Sequence, residues 1–251
     1  MVQPVHGKIK FQRKWSAKNL IDLFGKLMFQ NRSNMEKKIM KENKRLFAIT
    51  LLLSSAVCLL PIALGFFLWG KLPENIPQQY GWNNQVNWTL PKPWGFILCP
   101  AFLVIINAIV QISTRLSKKE LNKKVEAIVF WIIPVLSILV NSLIILKAAG
   151  LNIEISQSVI LIISIVFIII GNYMPKVEEN AFIGIRAPWI NKNGEVWTKT
   201  NRLGGILFVL TGIINLITCF TPAGKYVFIA SVLIVSVVTF VYSLYAAKKY
   251  S

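Results

Sequence analysis

The sequence predicts an all-α polytopic membrane protein of about six transmembrane helices, with both termini on the cytoplasmic side. Three observations carry that reading. Six apolar runs each approach the roughly 20 residues a spanning helix needs. Lys and Arg crowd into alternate connections between those runs. Hydrophobic residues make up 55% of the 251-residue chain, above the ~45–50% usual for soluble domains.

The chain opens with a basic leader, residues 1–45. Trp15, Leu20, Phe24, Leu27 and Met28 recur at helical spacing among Lys14, Lys18 and Lys26. That pattern suits an amphipathic helix lying on the anionic inner leaflet. The alternative start is Met35, where Met-Glu-Lys-Lys leads into the first span as a short basic flank. No apolar core precedes a small-residue cleavage site, so the leader does not read as a signal peptide.

The spans follow at Leu46–Gly70, Trp94–Ile112, Ile128–Leu146, Ile153–Tyr173, Leu203–Phe220 and Tyr226–Ala246. In the fourth, Val159–Ile170 is broken only by Ser164 and is rich in β-branched residues. Water would favour a strand there; lipid forces a helix, because an open strand leaves its backbone unpaired. Counted by compartment, Lys and Arg alternate 24 against 4. The positive-inside rule then places the termini and the second and fourth connections in the cytoplasm. The division is 1–45 leader, 46–151 first three spans with an outside loop at 71–93, and 152–251 last three spans with a cytoplasmic loop at 171–205.

Composition excludes several functions. The net charge of +18 raises nucleic acid as a partner. The cations, however, lie between apolar runs rather than along one aromatic-interleaved stripe, so no direct nucleic-acid contact is expected and the lipid bilayer is the partner. Cys58, Cys99 and Cys219 lie singly in apolar runs and read as small buried fillers, not a disulfide framework or zinc site. His6 is the lone histidine, so no His-based metal centre or triad is expected, and no cofactor. No Gly-x-Ser-x-Gly, His-Glu-x-x-His or P-loop pattern occurs. Glu178 and Glu179 are adjacent and would not face one site on a helix, so an enzyme is not expected. No span carries an ionisable residue at its centre; Asn107, Asn141 and Asn215 suit interhelical hydrogen bonds, which argues against a proton-coupled pump and leaves a neutral-solute transporter as the alternative function.

Two loops hold the specific signals. In the outside loop, Pro73, Pro77, Pro91 and Pro93 forbid a regular helix. Its Tyr80, Trp82 and Trp88, with Lys92, read either as an interfacial aromatic belt or as a binding platform for a peptide or lipid. In the cytoplasmic loop, Asn172, Arg186, Glu195 and Arg202 form a candidate polar network. Pro175 and Pro188 stop helices, and Gly184 permits close backbone approach. A short helix from Glu195 into the fifth span puts Glu195, Lys199 and Arg202 on neighbouring faces. Gly204 and Gly205 allow that span to pack closely.

The cytoplasmic loop resembles the signature of the SdpI family of bacterial multi-pass membrane immunity proteins. Gly171, Asn172, Met174, Pro175, Lys176, Asn180, Gly184, Arg186, Pro188, Trp189, Glu195, Trp197, Thr200, Arg202 and Gly205 carry the match. The outside loop is similar to the family's amino-terminal region through Pro73, Ile76, Pro77, Trp88 and Lys92. The resemblance runs from about Phe47 to the carboxyl end. It implies protection of a bacterial cell membrane from a membrane-active peptide toxin. It also implies, for some members, a signalling receptor that holds a soluble repressor at its cytoplasmic loops. Tyr80, Trp82, Trp88 and Lys92 are the candidate outer contacts; Arg186, Trp189, Trp197 and Arg202 lead the candidate inner surface. Gln79 and Asn201 stand where the family pattern has His, and Ala187 where it has Thr, so this member lacks the histidines that proton- or metal-linked chemistry would use.

Overall fold

A computed structural model describes residues 17–83, 85–116, 121–177, 184–190 and 194–250. It contains α1 (Ala17–Phe67), β1 (Asn75–Tyr80), β2 (Val86–Pro91), α2 (Trp94–Leu116), α3 (Lys123–Ala148), α4 (Ile155–Tyr173), α5 (Gly194–Thr218) and α6 (Gly224–Tyr250), with short 3-10 turns at Trp69–Lys71 and Met174–Lys176. Six helices are long and apolar enough to cross a membrane. Their outward faces carry large apolar side chains such as Leu52, Phe102, Ile217 and Val237, the surface that lipid covers.

The chain divides into one unit ending at Ile49 and another beginning at Thr50. In the first, the backbone is helical from Ala17 onward, and Met28, Phe29 and Met35 are exposed. Trp15, Lys14 and the side chains of Lys18, Leu20, Phe24, Lys26 and Leu27, on which the amphipathic reading rests, lie outside the described residues.

In the second unit, the expected spans form with shifted ends. The first stops at Phe67 rather than Gly70, and the chain tightens into the Trp69–Lys71 turn. The fifth begins at Gly194, because the segment expected as a short preceding helix is continuous with it. Pro61, Pro100 and Pro134 sit inside α1, α2 and α3; membrane helices tolerate proline where neighbouring groups take up the freed carbonyls. The β-branched run of the fourth span is helical throughout α4.

The outside loop, where the sequence reading expected only an irregular connection, folds as an antiparallel β1–β2 hairpin pairing Asn75 with Pro91, Ile76 with Leu90 and Gln79 with Trp88. Both strands are edges, so Pro77 and Pro91 cost no ladder bond. A lone hairpin is marginal in water; this one is anchored by Ile76. Fully buried, Ile76 packs with Leu72, Phe96 and Ile145. Gly95 makes room, since a Cβ there would lie 2.6 Å from that of Ile76. Gln78 Nε2 donates to the Gly95 carbonyl at 2.7 Å.

Small and neutral polar residues join the helices. At the α4–α5 crossing, a Cβ on Gly205 would lie 2.6 Å from the Gly171 carbonyl oxygen, and one on Gly212 would lie 2.6 Å from that of Ser164. Across α1, α2 and α3 runs a buried polar seam. Asn107 Nδ2 donates to Ser54 Oγ at 2.9 Å, and Gln111 Nε2 donates to Ser54 Oγ at 2.7 Å and to Asn107 Oδ1 at 3.0 Å. Ser137 Oγ donates to the Cys58 carbonyl at 2.8 Å and Asn141 Nδ2 to that of Ser137 at 2.9 Å. Asn215 and Ser231 tie α5 to α6. Cys58 and Cys219 are buried; Cys99, expected buried, is exposed.

Candidate functional site

The two loops occupy opposite ends of the bundle. At the hairpin end, the first, third and fifth connections meet. Ser156 Oγ at the start of α4 donates to the Gly81 carbonyl at 3.1 Å. Trp82, Glu154, Gln157, Thr221 and Lys225 line a cleft of about 310 Å³. That cleft mixes an indole with charges of both signs.

The four expected contact residues separate into two pairs. Trp82 and Trp88 are exposed, at 49% and 54%. Tyr80 is half-buried under Lys147, whose Nζ lies 5.3 Å from the ring centroid; burial raises its phenol above the ordinary value. Lys92 is turned inward. Its side chain is 7% exposed and lies 3.8 Å from a Glu74 carboxylate oxygen. Nζ donates to the carbonyls of Trp69 and Leu72, each at 3.2 Å, and lies 4.6 Å from the Trp69 ring centroid. Lys92 therefore closes the carbonyl end left open where α1 gives way to the turn. Lys92→Met is expected to destabilise the protein by about 1–3 kcal/mol, the cost of stranding a buried acceptor. A thermal melt in detergent with an unchanged midpoint would refute that role.

At the other end, α5 supplies a face on which the 184–190 segment is fastened. Trp197 is 2% exposed, and its indole N–H donates to the Val177 carbonyl at 3.0 Å. Asn201 is 1% exposed; its Oδ1 accepts the Ile185 N–H at 2.7 Å and its Nδ2 donates to the Trp197 carbonyl at 3.0 Å. Gly184 has φ +109, and a Cβ there would meet Asn201 Oδ1 at 2.6 Å and the Trp197 ring at 2.9 Å. Only glycine combines that backbone angle with that proximity. Trp189 donates its indole N–H to Ser243 Oγ at 3.1 Å and stacks edge-on to Phe240, so the loop also grips α6. Ile190, Val196, Trp197 and Ala246 complete the core beneath.

Of the expected inner residues, Trp197, Thr200 and Trp189 are drawn into this packing, and Thr200 keeps a buried hydroxyl without a partner among the described residues. Pro175 packs its ring on Gly205. Glu195 and Lys199 form the anticipated i, i+4 ion pair at 3.3 Å, and Lys199 Nζ lies 3.9 Å from the Tyr250 ring centroid. Asn172, Lys176, Arg186, Pro188 and Arg202 are exposed. Partial desolvation pulls the Arg186 guanidinium below its ordinary value. Asn180, like Glu178 and Glu179, lies outside the described residues. The centre of this end is occupied by the pair Asn201 and Trp197. Asn201 stands where the family pattern has His, and its amide still hydrogen-bonds. Its true signal is an amide placed one turn after a tryptophan on the same helix.

Among the described residues, no group of three or more His, Cys, Asp or Glu side chains could hold a metal ion.

Residues 176–243, which include the 184–190 segment, α5 and most of α6, match the SdpI/YfhL protein family. Residues 56–104, which include the hairpin, match a domain of unknown function, DUF1648. The immunity protein SdpI of Bacillus subtilis (strain 168) is 27% identical over 185 residues, covering 73% of this chain and 87% of that protein. No solved structure matches significantly. The resemblance read from the loop at 171–205 is thus borne out by both the family match and the relative.

Proposed function

We propose that this multi-pass membrane protein is an immunity protein of the bacterial cell membrane, protecting it against a membrane-active antimicrobial peptide. The observation that carries this reading is the similarity to an immunity protein over most of both chains. The hairpin end supports it physically. Exposed Trp82 and Trp88 offer rigid amphipathic rings. Beside them, Glu154 and Lys225 in one cleft offer both signs of charge to an amphipathic peptide. In this reading the hairpin faces outside, and both termini and the 184–190 segment face the cytoplasm, an orientation that the 24-to-4 division of Lys and Arg supports.

The same reading includes a signalling role at the opposite end. There, Lys176, Arg186 and Arg202 are exposed around a segment pinned by buried residues. A rigid, basic loop is a suitable dock for a soluble repressor, held or released as the hairpin end fills. The protective role needs binding rather than turnover.

Expression in a sensitive bacterium, challenged with the small secreted peptide encoded nearest the gene, is expected to raise survival. The Trp82→Ala/Trp88→Ala double variant is expected to lose most of that protection while accumulating normally. Undiminished protection by the double variant would remove the hairpin from the site. Substrate flux in proteoliposomes, without protection of cells, would replace immunity with the transporter reading.

A further inference from the structure

Between α4, α5 and α6, beneath the 185–190 segment, lies a cavity of about 300 Å³. Phe167, Phe208, Val232 and Val235 make its walls apolar, and among the described residues Arg186 is the one charged side chain in its lining. Thr239, also in the lining, is 4% exposed and its hydroxyl has no hydrogen-bond partner among the described residues. Trp189, three residues from Arg186, is fixed to Ser243 on the α6 side. An apolar slot between spans, a cation at its end and an adjoining indole are the three components of lipid recognition. The slot takes hydrocarbon, the cation takes the head group, and the indole sits at the interface.

We propose that this cavity holds one acyl chain of an anionic glycerophospholipid whose phosphate rests on Arg186. Its volume falls at the small end of the roughly 300–1,000 Å³ of ligand pockets, which suits a single chain rather than a folded peptide. A larger cavity of about 430 Å³, lined by Val110, Ile128, Ile132, Tyr173 and Phe208 among others, has no charged residue in its wall among the described residues, and so no described group to select a head group. Charge separates the two: lipid can fill both, but only the Arg186 cavity can discriminate. This reading does not depend on toxin binding at the hairpin end, although Arg186 also belongs to the basic surface proposed as the repressor dock.

The test uses the full chain, delipidated in detergent and offered equal amounts of phosphatidylglycerol and phosphatidylcholine, with retained lipid read by native mass spectrometry. Wild type is expected to retain phosphatidylglycerol several-fold over phosphatidylcholine. Arg186→Gln is expected to abolish the preference, Arg186→Lys to keep most of it, and Val235→Trp to lower retention of both lipids by filling the slot. Lys124→Gln, a cation outside the cavity, is expected to change nothing. Equal retention of the two lipids by wild type would overturn the proposal, as would an unchanged preference in Arg186→Gln or full retention in Val235→Trp. Displacement of the lipid by excess soluble glycerol phosphate would also overturn it, by showing a site for the free anion.

Discussion

Gly205→Val is expected to prevent accumulation of folded protein. The first atom of any side chain at 205 would lie 2.6 Å from the Gly171 carbonyl oxygen and 2.8 Å from the Pro175 ring. Both are backbone or ring atoms with no rotamer to yield. Relief requires α4 and α5 to separate, and in lipid those helices associate through close packing rather than a hydrophobic drive. Separation also opens Gly212 against Ser164, where the same small-residue contact recurs. The cost therefore exceeds the ~1–3 kcal/mol of ordinary overpacking. Membrane-fraction immunoblots should show the variant degraded; normal accumulation with a wild-type melting midpoint would show that this crossing is not what holds the bundle.

The second large effect is expected at Trp197→Ala. A buried indole is lost, which costs about 3–5 kcal/mol. The carbonyl of Val177 loses its donor, and the wall against which Gly184 is pressed disappears. The 184–190 segment should then come loose while α5 stays helical, because Trp197 is not needed for the helix's own hydrogen bonds. Limited proteolysis is expected to cut at 184–190 in the variant and not in wild type. Equal resistance of the two proteins would mean that the segment is held elsewhere, by Asn201 on the Ile185 N–H and Trp189 on Ser243.

Spans were the most legible part of this chain. Their length and composition are fixed by the bilayer, so Leu46, Trp94, Ile128, Ile153 and Tyr226 lie inside or within two residues of the corresponding helices. The ends were less legible: Leu203 marks where the fifth run becomes continuously apolar, but the helix begins nine positions earlier, stabilised by Trp197 and Val196 in a packed interface that hydropathy does not register. The hairpin was missed because its prolines were read as helix breakers, whereas at strand edges they are tolerated. Its cue is Ile76 among more polar neighbours, and the Gly81 N–H donates to the Gln85 carbonyl.

The sequence leaves open whether a candidate residue binds or builds. Lys92 and Trp197 carry the chemistry of surface contacts in a one-dimensional reading, yet both are turned inward, and only a three-dimensional partner such as the Leu72 carbonyl or the Val177 carbonyl reveals it. Gln111 was passed over for Asn107 and Asn141, although it is the member of the seam with the widest reach, contacting α1 and α2 side chains and, at 3.4 Å, the Phe130 carbonyl of α3.

That seam has an electrical consequence. Ser54, Asn107, Gln111, Ser137 and Asn141 are held by neutral hydrogen bonds, none of them is ionised, and Gln111 Oε1 has no partner among the described residues. The stretches 155–173, 203–220 and 226–246 are equally free of charge. A transmembrane field does about 2.3 kcal/mol of work per 100 mV on each elementary charge it moves, and here it finds no side-chain charge at depth to move. The bundle is a voltage-blind structure. A peptide that punctures a membrane collapses its potential first, and the helices of this protein would hold their arrangement through that collapse.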